Sequence, residues 1–285
     1  MKIEARAKVN LYLKILGKRE DGFHELETLM APLSLKDEIE IEEMDHDIII
    51  QVEGMDLSCG TDNLAYRAAQ GVRERAGISK GVRILLKKKI PMGGGLAGGS
   101  SNCAAVLRGV NELWQAGLSD AVLHEIAADL GSDINFFLQD GPAVCRGRGE
   151  IIEPVTLKED LWIMLVNPGF GVETPWAYKA YAQNPQQADE CKMMLHMRKR
   201  NSKTWEEFTL RNDLEMPVLA KYLWIAEAKQ WLAKQEGVSA AMMSGSGATV
   251  FALCHQESAV DNLLEASLEF FGSTAWIEKV KVIGS

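Results

Sequence analysis

Residues 91–101 read Pro-Met-Gly-Gly-Gly-Leu-Ala-Gly-Gly-Ser-Ser, with five glycines in the seven positions from Gly93 to Gly99. Residues 82–90, before this stretch, are rich in aliphatic side chains and predict a strand. After it, apolar residues recur at helical spacing from Cys103 to Trp114 and predict a helix. A strand, a glycine-rich turn and a helix in this order aim the free N–H groups of the helix N-terminus at an anion. The stretch therefore predicts a phosphate-binding loop.

Three other interpretations of the glycines compete with this one. Gly93, Gly95 and Gly98 fit the dinucleotide-binding pattern G-x-G-x-x-G, but that pattern expects a second strand ending in an acid about 20 residues later. Here a second helix follows, capped by Ser119. A P-loop needs a lysine where this chain has Ser100. A tight structural turn that holds no ligand remains the third alternative.

The rest of the chain mixes strands and helices without repeated βαβ units. Val9, Leu11, Leu13 and Ile15 alternate with polar residues and predict a strand with one apolar face. Further strands are expected at 38–43, 47–52, 161–166, 248–254 and 274–283, a strand with a turn at 143–153, and helices at 64–76, 214–235 and 258–271. Residues 183–204 form a polar stretch. This order favours an α+β fold over a doubly wound parallel sheet. We expect two domains, residues 1–155 and 156–285.

Composition excludes several classes of protein. The net charge of −9 argues against broad binding to nucleic acid, which needs a basic face. The longest apolar run, Leu161–Val166, is far shorter than the ~20 residues of a membrane span, and the charged first residues do not resemble a signal peptide. The five cysteines show no C-x-x-C spacing, so we expect neither a disulfide framework nor a metal site built by the protein. The expected protein is soluble and cytoplasmic, with no membrane partner.

The glycine stretch, together with four other segments, resembles the GHMP kinases. Those segments lie in the expected order along almost the whole chain: Ala7–Leu11 with Asp21–Leu26, Gly131–Ile134, Asn212–Glu215 and Met243–Ala248. The resemblance implies the two-domain GHMP kinase fold, with an N-terminal half like domain 2 of ribosomal protein S5 and a ferredoxin-like C-terminal half. It also implies an ATP-dependent small-molecule kinase.

The resemblance assigns roles to residues in these segments. Lys8 matches a lysine placed beside the catalytic aspartate, and Asp133 matches the proposed general base. From the residues alone, Lys8 could be a solvated lysine on a strand and Asp133 a helix N-cap. ATP is expected to bind the whole glycine stretch: Pro91, Met92, Gly93, Gly94, Gly95, Leu96, Ala97, Gly98, Gly99, Ser100 and Ser101. A third glycine motif, Gly245, Ser246 and Gly247, is expected on the phosphate side.

The resemblance further implies a substrate with a cytidine diphosphate group. Phe23 and Tyr178 would sandwich the cytosine, His24 would bond its edge, and Asn10 and Thr174 would complete the substrate site. The alternative is that Phe23 and Tyr178 are ordinary core aromatics. Two residues depart from the family pattern, since Phe23 replaces a common tyrosine and Asn135 replaces a proline that would stiffen the backbone after Asp133.

The function implied by these segments is phosphorylation of the 2-hydroxyl of a cytidine-diphosphate-linked methylerythritol in non-mevalonate isoprenoid precursor synthesis. Magnesium would arrive with the ATP, because it prefers phosphate oxygens and water, and Ser101 could offer it a hydroxyl. Two alternatives stay open. One is another GHMP kinase, of the homoserine or mevalonate type, and the other is a catalytically silent ligand sensor on the same fold.

Overall fold

The computed structural model describes residues 1–185, 188, 191 and 193–284. These residues form two compact units, each assembled from separate stretches of sequence. Unit 1 consists of residues 1–7, 35–90 and 97–140. Unit 2 consists of the described residues of 8–34, 91–96 and 141–285. Two long strands, β1 (Lys2–Lys18) and β2 (His24–Met44), contribute residues to both units.

Unit 1 packs helices against strands. Its strand β4 (Gly81–Lys87) pairs antiparallel with residues 38–44 of β2 and parallel with β3 (Ile48–Glu53). The helices are α1 (Leu64–Ala76), α2 (Gly98–Leu113) and α3 (Asp120–Leu130), and a 3₁₀ helix (Asn135–Leu138) follows. Their apolar faces share one buried core with the strands. The predicted cap at Asn63 is confirmed, because its side chain accepts a hydrogen bond from the Ala65 amide. Ser119 occupies the predicted N-cap position of α3, but its side chain makes no capping hydrogen bond within the described residues.

Unit 2 contains an extended run of strands that β1 and β2 share with five further strands: β5 (Ala143–Gly147), β6 (Ile151–Leu157), β8 (Met194–Lys199), β9 (Glu206–Thr209) and β10 (Arg211–Asn212). The strand order is β10-β1-β2-β5-β6-β8-β9. Residues 26–30 of β2 pair antiparallel with β5, and β1 pairs parallel with β10.

A four-stranded antiparallel sheet also belongs to unit 2, in the order β11-β12-β7-β13. Its strands are β7 (Trp162–Asn167), β11 (Ala240–Met243), β12 (Val250–Cys254) and β13 (Trp276–Lys281). The helices of this unit are α4 (Thr174–Gln183), α5 (Glu215–Lys221), α6 (Leu223–Leu232) and α7 (Glu257–Phe271). One apolar core joins these helices to the sheet. The strands and helices therefore mix as the α+β prediction expects.

Two local predictions are wrong. The single helix expected from 214 to 235 is two helices, because Tyr222 adopts a non-helical conformation (φ −105°, ψ 82°). The Tyr222 ring stacks on Phe170, with ring centroids 5.8 Å apart, so tertiary packing overrides local helix propensity there. The polar stretch 183–204 also contains β8, which pairs with β9 and was not predicted.

The boundary between the two compact units does not fall at a single position in the sequence. The 21-residue strand β2 pairs with β5 through its first part and with β4 through its last part. The division at residue 155 stays a prediction about domain organisation. Among the helices of the described residues, none has the length and apolar content that crossing a bilayer requires.

Candidate active site

The backbone of the glycine stretch follows an unusual path before helix α2. Gly93 and Gly95 have φ of 62° and 75°, and Ala97, the N-cap of α2, has φ of 55°. Only glycine reaches this left-handed region without a steric penalty, and alanine there costs about 1–2 kcal/mol. The amide groups of Gly93 and Gly95 have no hydrogen-bond partner among the described residues. Two amides without protein partners in a tight turn are suited to binding an anion.

The glycine stretch lies against the third glycine motif within unit 2. The Ser244 hydroxyl donates a hydrogen bond to the Gly95 carbonyl (2.9 Å), and the Thr249 amide donates to the Gly94 carbonyl (3.2 Å). A Cβ on Gly95 would overlap the Ser244 carbonyl oxygen, and one on Gly94 would lie 2.8 Å from the Asn167 amide nitrogen. Packing within the protein therefore requires glycine at both positions, independently of any ligand.

The segment Asn212–Glu215 holds the third glycine motif in place. The buried Asn212 amide donates to the carbonyls of Met243 (2.9 Å) and Gly245 (2.7 Å). The Met243 amide donates to a Glu215 carboxylate oxygen at 2.7 Å. The other Glu215 oxygen accepts from Lys229 at 2.6 Å. Two segments selected from the sequence for their family resemblance therefore form one hydrogen-bonded structure.

Lys8 is buried on β1, with 3% of its surface exposed, although it lies on the polar face of the alternation. Its ammonium donates to the Asn10 side-chain oxygen at 2.6 Å, and the Asn10 amide donates to the Thr28 hydroxyl at 2.8 Å. Thr28 donates in turn to the Tyr12 carbonyl. A Cβ on Gly245 would lie 3.6 Å from the Lys8 ammonium. The structure thus brings Lys8, Asn10 and the third glycine motif together and rejects the solvated-lysine alternative.

Asp133 lies in unit 1, in the turn that joins α3 to the 3₁₀ helix. Asp133 lies one residue before Ile134, the N-cap position of that 3₁₀ helix, so the helix-cap alternative for Asp133 stays open beside the general-base prediction. The side chain is partly exposed. Because Lys8 belongs to unit 2, the pairing of Lys8 with Asp133 stays a prediction.

The residue that replaces the family proline is anchored by its side chain. Asn135 is buried, and its side-chain oxygen lies 2.9 Å from Nδ1 of His124 on α3. This bond ties the start of the 3₁₀ helix to α3 two residues after Asp133. A side-chain contact therefore restrains the segment where a proline ring would restrain φ.

The predicted substrate residues include an aromatic pair within unit 2. The His24 ring stacks on the Tyr178 ring, with centroids 5.2 Å apart and planes 23° from parallel. Within the described chain, the buried His24 Nε2 has no hydrogen-bond partner. Burial, with a smaller effect from Lys18, lowers the pKa of His24 below its usual 6.5. A neutral imidazole with an unpaired nitrogen beside an aromatic face can bind the edge of a polar ring.

Phe23 is 48% exposed, so the core alternative is wrong for this residue. The Arg148 guanidinium lies over its ring, 4.7 Å from the centroid, which is cation–π distance. The turn that carries Phe23 is fixed by Asp21, which accepts from the Phe23 amide (3.1 Å) and from Arg19. His24, rather than Phe23, stacks directly on Tyr178. The cytosine sandwich between Phe23 and Tyr178 therefore stays a prediction.

The remaining predicted residues are divided between the two units. The Thr174 hydroxyl lies 2.9 Å from that of Ser246, which links the start of α4 to the third glycine motif. Ser100 and Ser101 lie in the first turn of α2, where Ser101 is buried. The sequence reasoning missed Thr28, Arg148 and Ser244 as site residues. The contacts of Thr28 and Arg148 depend on tertiary structure, and no local pattern distinguishes these two. Ser244 lies inside the motif Met243–Ala248, which could have identified it.

Comparison with known proteins identifies the family of this site. Residues 63–147 match the GHMP kinases N terminal domain, and residues 197–272 match the GHMP kinases C terminal domain. The first match includes the glycine stretch and Asp133, and the second includes both Asn212–Glu215 and the third glycine motif. The two matches lie on opposite sides of residue 155.

Full-length relatives and a solved structure agree with these matches. The 4-diphosphocytidyl-2-C-methyl-D-erythritol kinase of Methylacidiphilum infernorum (isolate V4) is 40% identical over 98% of this chain and 96% of its own. The protein of that name from Pelotomaculum thermopropionicum is 43% identical over 87% of each chain. A crystal structure of 4-(cytidine 5'-diphospho)-2C-methyl-D-erythritol kinase superposes with a TM-score of 0.76 at 33% identity, covering 98% and 99% of the two chains.

More distant structures share the fold alone. The homoserine kinase of Cytophaga hutchinsonii has a TM-score of 0.67 at 16% identity, over 99% of this chain and 95% of its own. Together with the two domain matches and the full-length identities, this confirms the predicted α+β kinase fold. The chain belongs to the GHMP kinase family.

Proposed function

We propose that this protein transfers the γ-phosphoryl group of ATP to the 2-hydroxyl of 4-diphosphocytidyl-2-C-methyl-D-erythritol, in non-mevalonate isoprenoid precursor synthesis. The observation that carries the proposal is the 40% identity to a kinase of that name across 98% of this chain. A match over 98% of this chain spans the segment around Phe23 and His24 as well as the glycine stretch, Gly131–Ile134 and the third glycine motif. Homoserine and mevalonate kinases resemble this chain at 14–16% identity, which is evidence for fold only.

The proposed reaction needs a base for the substrate hydroxyl, a positive charge beside the phosphoryl group in transfer, and a loop that binds the phosphates of ATP. The Asp133 carboxylate accepts the proton of the substrate 2-hydroxyl as that oxygen bonds to the γ-phosphorus. The bond from the γ-phosphorus to the β–γ bridging oxygen breaks, and ADP leaves. Lys8 supplies positive charge to the phosphoryl group in transfer, where positioning and electrostatics provide most of the catalysis.

Residues 91–101 are proposed to bind ATP. The Gly93 and Gly95 amides, which have no partner among the described residues, and the N-terminus of α2 offer hydrogen-bond donors to phosphate oxygens. The described residues contain no group of three or more His, Cys, Asp or Glu side chains that could hold a metal ion. Magnesium is proposed to arrive with the ATP, bound chiefly by phosphate oxygens and water, with the Ser101 hydroxyl as one further oxygen.

Recognition of the cytidine group is assigned to His24, Tyr178 and Phe23. Tyr178 and Phe23 offer aromatic faces on which a base can stack. The His24 Nε2, which has no partner among the residues described, can exchange a hydrogen bond with the edge of the base. Asn10 and Thr174 complete the proposed substrate site. A Cβ added to Gly245 would lie 3.2 Å from the Asn10 side-chain oxygen, and the Thr174 hydroxyl lies 2.9 Å from that of Ser246.

An ADP-release assay tests this function. Purified protein with magnesium and ATP is given, in separate reactions, the diphosphocytidyl substrate, homoserine and mevalonate, with a reaction lacking acceptor as the control. We expect ADP release above the control only with the diphosphocytidyl substrate. Preferential turnover of homoserine or mevalonate would reassign the substrate. ATP binding without turnover of any acceptor would favour the silent sensor.

A further inference from the structure

Unit 1 contains a buried ion pair that the proposed reaction does not use. Asp37 lies on β2 and is fully buried, and Lys88, just after β4, is 7% exposed. The Lys88 ammonium donates to one Asp37 carboxylate oxygen and, at 2.8 Å, to the side-chain oxygen of Asn102. The Asn102 amide donates to that same Asp37 oxygen at 2.9 Å. The three side chains form a closed triangle of hydrogen bonds.

The other oxygen of Asp37 binds the backbone at the end of β4. It accepts hydrogen bonds from the amides of Lys89 (2.7 Å) and Ile90 (2.9 Å). Ile90 is the residue immediately before Pro91, where the glycine stretch begins. One carboxylate thus fixes the backbone from which the stretch departs.

Asn102 connects the same carboxylate to the far end of the stretch. It is buried in the second turn of α2, the helix that begins at Gly98. At that first helical residue, a Cβ would lie 2.9 Å from the Ile90 side chain and 3.3 Å from the Lys88 ammonium. The start of α2 and the end of β4 are therefore packed together around Asp37. The two ends of residues 91–97 cannot separate without breaking the packing of Gly98 against Ile90 and the hydrogen bonds of Asp37.

Stability alone does not account for this arrangement. A buried ion pair costs desolvation, and apolar residues of similar volume are often as stabilising. Apolar side chains cannot accept the two backbone hydrogen bonds or bond to Asn102, however. What the polar triangle supplies is a fixed geometry between the strand end and the helix start.

We propose that Asp37 is a positioning residue for ATP, acting through the two ends of residues 91–97. The proposal rests on the proposed role of that stretch in binding ATP. Asp37 holds the backbone at Ile90 and, through Asn102, the start of α2, so the amides between them keep the spacing that the phosphates require. Asp37 itself touches neither substrate in this proposal.

Two double variants separate the geometry from the charges. Asp37→Leu with Lys88→Met removes both charges and the hydrogen bonds of the carboxylate. Asp37→Asn with Lys88→Met also removes both charges, but the asparagine oxygen can still accept from the Lys89 and Ile90 amides. Its amide nitrogen can donate to the Asn102 oxygen once the Asn102 amide flips. The second variant is thus a conservative rescue of the first.

Steady-state kinetics with the diphosphocytidyl substrate measures the effect. In the leucine variant, kcat/KM for ATP should fall about 10- to 100-fold, because displacement of a binding group by about 1 Å can cost about a hundredfold. The fall should appear in KM for ATP, while KM for the diphosphocytidyl substrate stays unchanged. The asparagine variant should remain close to the wild type. Val72→Ala, which opens a cavity in the core of unit 1, should lower Tm without changing KM for ATP.

Each outcome decides the proposal. If both double variants keep the wild-type KM for ATP, the triangle is only structural and the proposal fails. An equal loss in both variants would assign the effect to the charges and would also overturn it. If the leucine variant does not fold, Asn102→Ala must raise KM for ATP, because it removes the hydrogen bonds that join Asp37 and Lys88 to helix α2. If the wild type does not phosphorylate the substrate, the proposed function fails. Calorimetry of ATP binding to the same variants still tests the positioning role of Asp37.

Discussion

Replacing Gly95 by alanine should lower the stability of the protein and weaken ATP binding together. Gly95 has φ of 75°, and an added Cβ would overlap the carbonyl oxygen of Ser244. The left-handed conformation costs alanine about 1–2 kcal/mol. Relieving the overlap displaces the Ser244 backbone, which strains two hydrogen bonds: Ser244 hydroxyl to Gly95 carbonyl, and Gly247 amide to Ser244 carbonyl. At about 0.5–1.5 kcal/mol for each bond, the free energy of unfolding should fall by about 2–5 kcal/mol altogether.

The effect on ATP follows from the same displacement. The Gly95 amide has no partner among the described residues and is proposed to donate to a phosphate oxygen. Losing one hydrogen bond to a charged group costs about 1.5–3 kcal/mol, which corresponds to about a 10- to 150-fold rise in Kd. Urea unfolding measures the stability, and calorimetry with ATP and magnesium measures Kd at a temperature where the variant is folded.

Gly77→Ala is the matched control. Gly77 is left-handed, with φ of 64° and ψ of 34°, but an added Cβ there would meet nothing within 4 Å, and it lies at the end of α1. Gly77→Ala should lose only the conformational cost of about 1–2 kcal/mol and bind ATP like the wild type. A loss of stability in Gly95→Ala no larger than in Gly77→Ala, or an unchanged Kd for ATP in Gly95→Ala, would contradict the expected effect.

Three other predictions concern the proposed catalytic and cytidine-binding residues. Asp133→Ala should lower kcat by about 10²–10⁴ while the Kd for ATP stays unchanged, and a kcat near that of the wild type would reject the base assignment. Tyr178→Ala should raise the Kd of the diphosphocytidyl substrate about 5- to 150-fold by removing a stacking face, whereas Phe23→Tyr should leave this Kd unchanged. Calorimetry that finds the same Kd for Tyr178→Ala and the wild type would contradict the stacking role. Because burial lowers the pKa of His24 below 6.5, the unfolded chain binds more protons than the folded one, so stability should fall as pH drops below about 6.5. His24→Gln should flatten that decline in urea unfolding between about pH 8 and pH 5, and equal slopes would contradict the assignment.

Features that depend on local sequence were predicted well. The strand before the glycine stretch, the helix after it and the cap positions at Asn63 and Ser119 follow from residue patterns within a few positions. The family was identified from short motifs, because loops that bind phosphate demand particular residues at particular spacings. The break at Tyr222 was missed, since a ring contact with Phe170 on another segment sets it.

Residue patterns and short motifs establish the α+β class, the kinase family and the candidate site residues. The hydrogen-bond partners of those residues follow from the three-dimensional fold. Alternation along β1 marks Lys8 as polar, yet both faces of that strand are buried over residues 7–11. Asp37 lies 51 positions from Lys88 and 65 from Asn102, and no pattern within one element relates them. The physical reason is that periodicity reports which face of an element is apolar, whereas burial of a charge depends on partners from distant parts of the chain.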